Sequence, residues 1–532
     1  MRWVAYVLLA AGTVQALSLP FRLPSWLWFG SRSNALTIDS GKPWYNASKT
    51  VAVIGAGAGG SSTAFFIAKA KQRYGVDIDI HIYDKNELVG GDNDIIYPYD
   101  DGRYGSVELG AFKHYEVDQN LARAAKEFNL TRVARKRRDG GVGIWDGTEI
   151  LFTLGGSSFP IWDRLKAYWA YGFLSLSASD TISTGVLHKA WNLYAPDIKP
   201  WDEITSLIDY MGWSNLTSQS GSDFFRSYGV SERQISEILN AATRATYSQN
   251  AGSINALSTA LANVPDTLTI TKGGHKQVFE KFVREANATL FLGSQVKSIK
   301  WNSNSNTWTV KSTNGSIDYR NAVLAAPIHT SHISLPESLT VQVPERPHET
   351  IFTTVLTTNA SHPDPTYFGL KQTAMVPRTI LTTIGKDGEE PGFLSLKYYN
   401  VIQRGGQEEY VVKILSKEKL PKESLERLFG PESVRWVHTH EWKTPVLTPT
   451  TTFPPIKLDK GFYYVNAFDS IISTLESSIV SGRNVADLLL REDFSSGVCL
   501  QPTSEPYADQ EVLDIPLSPQ TPGSEFVYGW DC

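Results

Sequence analysis

A glycine-rich turn between a buried strand and a helix constrains the fold of this chain more than any other feature. Residues 51–54 form a short apolar run, typical of a buried parallel strand, which ends in Gly55-Ala56-Gly57-Ala58-Gly59-Gly60. Alanine-rich residues 61–74 then predict a helix, and the isoleucines that alternate within residues 77–83 predict a second strand. This order predicts a βαβ unit and therefore an α/β fold.

The spacing of the glycines matches the G-x-G-x-x-G pattern of dinucleotide-binding turns through Gly55, Gly57 and Gly60. Gly55 permits the tight turn, Gly57 lets a pyrophosphate approach the backbone, and Gly60 lets the helix pack closely on the strand. The helix N-terminus would present amides and a positive dipole to phosphate. Asp84 ends the second strand and is placed to accept hydrogen bonds from ribose hydroxyls, which favours FAD or NAD over NADP. The alternative is a turn that serves only to join helix and sheet.

Length, charge and cysteine content exclude several classes of function. A chain of 532 residues exceeds a single hydrophobic core, so we expect two domains and leave room for a third. Fifty basic and fifty-five acidic residues give a formal charge of −5, which does not favour a nucleic-acid partner. The two cysteines, Cys499 and Cys532, form no C-x-x-C pair, and no H-E-x-x-H pattern occurs, so metal and thiol catalysis are disfavoured. These cysteines either pair in an oxidising compartment or leave a free C-terminal thiol.

The N-terminus predicts entry into the secretory pathway. Residues 1–16 have the charge, short apolar run and small-residue end of a signal peptide, and the run is too short to span ~30 Å of hydrocarbon. The chain carries six Asn-x-Ser/Thr sequons, at Asn46, Asn129, Asn215, Asn287, Asn314 and Asn359. We therefore expect a glycoprotein without a transmembrane segment, located in the vacuole or lysosome or secreted.

Two segments soon after Asp84 resemble flavin oxidases of the amine-oxidase-like class and favour FAD over NAD. Gly90-Gly91-Asp92 stands where that class carries Gly-Gly-Arg, so Gly91 is expected near the pyrophosphate while the arginine contact is missing. Glu108-Leu109-Gly110-Ala111 resembles the turn whose backbone runs beside the flavin, which places Glu108 and Gly110 in the cofactor site.

Later segments resemble the same class in the same order. Gln295-Val296-Lys297-Ser298-Ile299 is similar to the strand whose backbone contacts adenine, with Val296 as the expected residue. Ala325 belongs to a small-residue strand end that passes beside the cofactor. Glu476 opens a helix whose N-terminus, in that class, points at the flavin pyrimidine and stabilises negative charge there.

The stretch from Thr50 to about Leu490 resembles the prenylcysteine oxidase family, whose members are also called prenylcysteine lyases. The motifs that carry the resemblance are Ala52-Val53-Ile54-Gly55-Ala56-Gly57-x-Gly59-Gly60, Glu108-Leu109-Gly110-Ala111, Gly273-Gly274-x-Lys276, and Tyr463-Tyr464-x-Asn466 followed by Glu476. The resemblance implies an FAD-dependent oxidase that cleaves the thioether of a prenylated cysteine, with O₂ as electron acceptor. Hydride leaves the carbon beside sulfur, water adds, and the products are prenyl aldehyde, free cysteine and hydrogen peroxide. This chemistry needs no protein nucleophile, so we name no catalytic residue and no metal.

The predicted α/β segments of the chain are interrupted twice, which predicts a discontinuous domain arrangement. We expect a Rossmann-type FAD-binding domain built from residues 49–140, 272–330 and 455–494. A mixed helical/β substrate domain, residues 141–271 and 331–454, is inserted in two pieces. The remaining parts are the signal peptide, a leader at 17–48 and a C-terminal tail at 495–532.

Several alternatives stay open at this point. Aromatic residues between Trp145 and Phe173 would line a tunnel for a prenyl chain or, as ordinary helix packing, form a core. A related flavin oxidase acting on amines or on a lipophilic metabolite would use Tyr398-Tyr399 as an aromatic pair beside the flavin. A non-catalytic FAD- or lipid-binding secreted protein is the third possibility. Contact with a membrane surface is left open for each of them.

Overall fold

The computed structural model describes residues 49–91, 94–110, 113, 115–134, 140–155, 160–264, 269–337, 339, 343–500 and 525–532. The predicted signal peptide, the leader and most of the C-terminal tail lie outside these ranges, as do Asp92 and Ala111. Among the described residues, none of the helices combines the length and apolarity needed to cross a bilayer.

The strands of the described part are β1 (Thr50–Ile54), β2 (Asp79–Tyr83), β3 (Ile95–Ile96), β4 (Val107–Glu108), β5 (Arg132–Ala134), β6 (Val142–Trp145), β7 (Ile150–Leu154), β8 (Thr269–Thr271), β9 (Thr289–Phe291), β10 (Val296–Asn302), β11 (Thr307–Ser312), β12 (Gly315–Tyr319), β13 (Asn321–Leu324), β14 (His348–Thr358), β15 (Thr379–Thr382), β16 (Ser395–Arg404), β17 (Gln407–Ser416), β18 (Val434–Pro445), β19 (Lys457–Asp459) and β20 (Phe462–Tyr464).

The helices of the described part are α1 (Ala58–Tyr74), α2 (Gln119–Glu127), α3 (Pro160–Tyr171), α4 (Phe173–Ala190), α5 (Ile204–Met211), α6 (Ser214–Ser218), α7 (Gly221–Ser227), α8 (Glu232–Gln234), α9 (Asn240–Tyr247), α10 (Ala256–Asn263), α11 (Lys276–Ala286), α12 (Ile328–Ser331), α13 (Lys422–Phe429) and α14 (Leu475–Phe494). The described residues between β7 and β8 are mainly helical.

A six-stranded sheet in the order β19-β20-β13-β1-β2-β9 carries the predicted glycine-rich turn. Strand β1 lies parallel to both β13 and β2, with Val53 opposite Val323 on one side and Ile82 on the other. Every residue of β1 is buried, as expected of a central parallel strand covered on both faces. Helix α1 packs between α14 and α11. The predicted α/β fold with a Rossmann-type domain is confirmed.

A seven-stranded sheet in the order β18-β14-β17-β16-β15-β6-β7 forms the second layered region. It is antiparallel except for β15, which runs parallel to β6. All its strands come from residues 141–271 and 331–454, whereas the strands of the six-stranded sheet come from the other three predicted segments. The assignment of the two regions as cofactor and substrate domains stays a prediction.

The two cysteines form a disulfide, with the Cα atoms of Cys499 and Cys532 5.3 Å apart. This bond holds the C-terminal residues against α1, where the indole of Trp530 lies 4.9 Å from the ring of Phe65. Arg483 of α14 is buried and donates a hydrogen bond to the Tyr528 carbonyl. Of the two possibilities that the sequence left open, pairing is therefore the one that the structure contains.

Candidate functional site

The turn after β1 requires glycine at two of its positions because of the surrounding backbone. Gly55 has a φ of +114°, and a Cβ there would clash with the Ala325 carbonyl. A Cβ at Gly60 would clash with the Gly55 carbonyl, so this glycine lets α1 approach the strand. Gly59 has a further packing role, because a Cβ there would lie 2.7 Å from a methyl group of Val465.

Gly57 differs from these three glycines because the protein leaves room around it. A Cβ at Gly57 would meet the Gly91 Cα at 3.7 Å and no other non-neighbouring heavy atom within 4 Å. Gly57 is also the N-cap of α1, which has neither a side-chain cap nor an acidic residue in its first turn. The positive end of a long helix therefore opens onto space beside Gly57 and Gly91, which fits an anionic diphosphate.

Asp84 lies at the edge of the same turn. Its carboxylate accepts hydrogen bonds from the Ala56 amide at 2.7 Å and the Asn86 amide at 2.8 Å. Because each carboxylate oxygen can accept two hydrogen bonds, Asp84 keeps acceptor capacity for ribose hydroxyls. Thus Asp84 supports the turn as well as being placed for a sugar.

Ser294 extends this edge and was not identified from the sequence. Its amide donates to the Asp84 carbonyl at 2.8 Å, while its fully buried hydroxyl has no hydrogen-bond partner. A buried hydroxyl without a partner is costly, and an adenosine would supply one. Val296, the predicted adenine contact, is buried two residues further on at the start of β10.

The buried His275 and the partly buried Glu108 form a pair where β4 meets the start of α11. One carboxylate oxygen of Glu108 accepts from the His275 amide at 2.6 Å and lies 2.8 Å from the His275 Nδ1 atom. The other oxygen, Oε2, is buried without a partner. As with Ser294, the unmatched acceptor marks a place where a cofactor hydroxyl or N–H would fit.

Lys413 of β17 holds the backbone of the predicted flavin-contact turn. Its buried ammonium donates to the Glu108 carbonyl at 2.7 Å and to the Gly110 carbonyl at 2.6 Å. The carbonyl between them, that of Leu109, accepts from the Thr353 hydroxyl at 2.7 Å, and the Trp442 indole donates to that hydroxyl at 3.0 Å. Sequence analysis missed Lys413, although a lysine at an inward position of an apolar strand was a usable signal.

Glu476 lies in the first turn of α14, but its carboxylate points to a different helix. It accepts hydrogen bonds from the backbone amides of Asn120 and Leu121 at 2.8 and 3.0 Å, and from the Tyr194 hydroxyl at 2.8 Å. Burial and the nearby Asp118 carboxylate raise the pKa of Glu476 to about 7. Its side chain therefore caps the N-terminus of α2, and the predicted cofactor contact would fall to its backbone.

The two adjacent tyrosines do not form an aromatic pair. Tyr398 packs with Phe429 of α13, and its hydroxyl donates to the Ala360 carbonyl. Tyr399 belongs to a separate apolar cluster, which also contains Leu109. The two rings therefore pack in different clusters.

The aromatic residues between Trp145 and Phe173 are divided between core and surface. Trp145 stacks on Phe393, and Phe152 packs edge-on against Tyr171. Trp162, Trp169 and Phe173 are instead exposed to solvent. The described residues of this segment thus provide core packing and an exposed surface. Within the described part of the chain, no cluster of residues is suited to hold a metal ion.

The sheet order and the glycine-rich turn place the chain in the class of Rossmann-type α/β proteins, with an overall fold similar to that of solved amine oxidases. Cyclohexylamine oxidase from Brevibacterium oxydans superposes with a TM-score of 0.55 at 15% identity, covering 84% of this chain and 99% of that one. A putrescine oxidase variant superposes with a TM-score of 0.54 at 14% identity, covering 83% and 99%. At these identities the likeness shows the fold. Residues 53–128 also match the NAD(P)-binding Rossmann-like domain family.

The chain belongs to the prenylcysteine lyase family, whose model matches residues 154–498. Farnesylcysteine lyase of Arabidopsis thaliana is 26% identical over 462 residues, which cover 83% of this chain and 88% of the relative. Prenylcysteine oxidase 1 of Bos taurus is 25% identical over 473 residues, covering 83% and 90%. The family predicted from the sequence is confirmed. A cofactor of the flavin type agrees with the match to the Rossmann-like domain and with the fold shared with the two oxidases.

Proposed function

We propose that this protein is an FAD-dependent oxidase that cleaves the thioether of prenylated cysteine, yielding prenyl aldehyde, free cysteine and hydrogen peroxide. The observation that carries the proposal is membership of the prenylcysteine lyase family over most of the chain. The open space at Gly57 and the two buried polar atoms without partners, on Ser294 and Glu108, support a bound dinucleotide.

The residues that would hold FAD lie in order along the carboxyl edge of the six-stranded sheet. The first turn of α1 with Gly57 and Gly91 would bind the diphosphate, and Asp84 with Ser294 the adenosine end. The turn at Leu109 would lie beside the flavin. When bound there, FAD would supply the acceptor for a hydride from the carbon next to sulfur and the route by which the electrons reach O₂.

The contribution of the protein to this reaction is positioning. Lys413, Thr353 and Trp442 tie the seven-stranded sheet to the turn at Leu109. The seven-stranded sheet, which we propose as part of the substrate region, is thereby held at a fixed distance from the carboxyl edge of the six-stranded sheet, the proposed cofactor edge. This distance matters because hydride transfer needs the C–H bond within contact distance of its acceptor. Water then adds to the oxidised carbon, and the C–S bond breaks as the thiol of cysteine leaves.

Amine oxidation loses the observation that favoured it, because Tyr398 and Tyr399 occupy different apolar clusters. A non-catalytic FAD- or lipid-binding protein would have the same site for the cofactor but would not oxidise a thioether. Anaerobic reduction of the flavin by an amine or by a thioether distinguishes these two alternatives from the proposal.

We also propose that the protein follows the secretory pathway to the vacuole or lysosome, or outside the cell. The disulfide between Cys499 and Cys532 supports an oxidising compartment. The five sequon asparagines of the described part are exposed, at Asn129, Asn215, Asn287, Asn314 and Asn359. Glycans could be attached at each of these positions without disturbing the core.

Anaerobic reduction of the purified holoenzyme tests the catalytic proposal. Farnesylcysteine should bleach the flavin absorbance, and air should restore it with release of farnesal, cysteine and peroxide. Bleaching by an amine but not by farnesylcysteine would overturn the proposed substrate class. A flavin-loaded protein that no thioether reduces would point to the non-catalytic alternative, and a protein that binds no flavin would end the oxidase proposal.

A matched pair of variants tests the positioning role of Lys413. Lys413→Met removes both hydrogen bonds to the turn, whereas Lys417→Met removes a partly exposed lysine that pairs with Glu390 just beyond the same strand. We expect the first variant to shift the flavin spectrum and to lower kcat, and the second to behave as wild type. Identical spectra and kcat in both variants would refute the role.

A further inference from the structure

A cluster of large apolar side chains lies on the surface where α3 passes into α4. Of fifteen large hydrophobic residues that are exposed in the described part of the chain, seven fall within fourteen consecutive positions. Trp169 is 91% exposed and Leu174 is 79% exposed. We call this cluster the α3–α4 patch; its members are Ile161, Trp162, Leu165, Tyr168, Trp169, Phe173 and Leu174.

The opposite faces of these helices are already docked on the protein. Tyr171 packs on Phe152, and its hydroxyl donates to the Glu237 carboxylate at 2.8 Å. In α4, the buried positions Ser175 and Ser179 are both hydrogen-bonded to the Gln234 side chain. At this end of α4 the buried face carries serines and the solvent face carries phenylalanine and leucine, the reverse of an ordinary surface helix. The patch is thus held outward by specific contacts.

We propose that the α3–α4 patch docks the protein on the surface of a lipid bilayer. Trp162, Tyr168 and Trp169 have the apolar bodies and polar tips that favour the boundary between headgroups and acyl chains. Arg164 is exposed on the same helix and can reach lipid phosphates, whereas the Lys166 ammonium donates to the Thr153 hydroxyl at 2.8 Å. The positive charge of Arg164 complements the negative surface of anionic bilayers.

This location suits the proposed substrate, and to that extent the inference rests on the proposed function. A prenyl chain partitions into a bilayer, so an enzyme that lies on the membrane meets its substrate at a high local concentration. The patch is joined to the seven-stranded sheet, because Tyr171 of α3 shares an apolar cluster with Phe152 of β7 and Leu381 of β15. The same sheet contributes Lys413 and Thr353 to the cofactor edge.

Vesicle binding by the flavin-loaded full chain tests this inference without requiring turnover. The test variant is Trp162→Ser/Trp169→Ser/Phe173→Ser, and the matched control is Met375→Ser, which removes an apolar side chain that is 78% exposed outside the patch. Substrate-free vesicles of phosphatidylcholine, with and without phosphatidylserine, are the probes in a flotation assay. We expect wild type and control to float with the vesicles, more strongly with phosphatidylserine, and the triple variant to bind at least about tenfold more weakly.

Activity then separates this inference from the proposed function. The triple variant should keep its flavin spectrum and its kcat/KM for a water-soluble S-alkylcysteine, but lose rate on farnesylcysteine carried in vesicles. Equal flotation of variant and wild type would overturn the docking role, whatever the enzyme oxidises. Sedimentation of wild type as a dimer that the triple substitution splits, without vesicle binding, would assign the patch to self-association instead.

Discussion

Replacing Gly57 by alanine separates cofactor binding from folding. The new methyl group would lie 3.7 Å from the Gly91 Cα, an ordinary contact distance, and the backbone φ of −76° suits alanine. Fewer unfolded conformations are available to alanine than to glycine, so the free energy of unfolding should be unchanged or rise by about 0.4–1 kcal/mol. The apoprotein should therefore fold normally.

The same methyl group would stand in the space that a diphosphate needs in order to reach the first amides of α1. Loss of one hydrogen bond to a charged phosphate costs about 1.5–3 kcal/mol, which corresponds to a roughly 10- to 150-fold weaker Kd for FAD. Gly185→Ala is the matched control, since a Cβ at that position meets no heavy atom within 4 Å and lies in α4 away from the turn. That control should leave the Kd unchanged.

Titration of deflavinated protein with FAD, followed by flavin fluorescence, measures the affinity, and urea unfolding of the apoprotein measures stability. An affinity in Gly57→Ala equal to wild type would refute the placement of the diphosphate beside Gly57. Gly60→Ala should show the opposite pattern, with folding impaired before any ligand is added, because its Cβ would clash with the Gly55 carbonyl.

Three further outcomes are expected. Burial lowers the pKa of His81 to about 4, so its neutral form adds stability above about pH 6.5 that is lost as pH falls toward 4. His81→Asn should reduce the drop in the free energy of unfolding between about pH 7 and 5, measured with urea, by ~2 kcal/mol, and an unchanged drop would contradict this. Burial raises the pKa of Asp469 to about 6, so the stability that its neutral form adds is lost as pH rises through that value. Asp469→Asn should therefore stabilise the protein near pH 7 by up to ~3 kcal/mol. Thermal unfolding measures this effect, and a Tm lower than that of the wild type would contradict the prediction. Cys532→Ser removes the disulfide, which joins residues separated by 33 positions in the sequence. The free energy of unfolding in denaturant should fall by about 3–4 kcal/mol. An unfolding midpoint equal to that of the oxidised wild type would show that the bond adds no stability.

The secondary structure around the glycine-rich turn was predictable because it depends on residues that are close together in the sequence. The order of β1, turn, α1 and β2 follows from an apolar run, spaced glycines and alternating isoleucines. The largest displacement is the start of α1, which lies at Ala58 because Gly59 and Gly60 pack closely against Val465 and Gly55 within the helix, while β1 starts one residue earlier and β2 two residues later than predicted. Such displacements come from tertiary contacts that the local pattern does not contain.

Side-chain directions were not predictable from position alone. Glu476 lies in the expected helix, yet its carboxylate serves the N-terminus of α2, some 350 residues earlier in the chain. Lys413 reaches the turn at Leu109 because two sheets meet there, and no motif near Lys413 marks that meeting. The tyrosines at 398 and 399 were adjacent in sequence but pack in different clusters.

By itself the sequence determined the α/β class, the glycine-rich turn between β1 and α1, and the family, since each rests on short-range spacing or on motifs in order along the chain. Only the tertiary structure decided that the Glu476 carboxylate binds the N-terminus of α2, which lysine holds the turn at Leu109, and which aromatic residues stay exposed. The physical reason is that burial and hydrogen-bond partners are properties of contacts between distant segments. Trp162 and Trp169 read as core residues in a sequence, and only the packing of α3 on its opposite face turns them toward solvent.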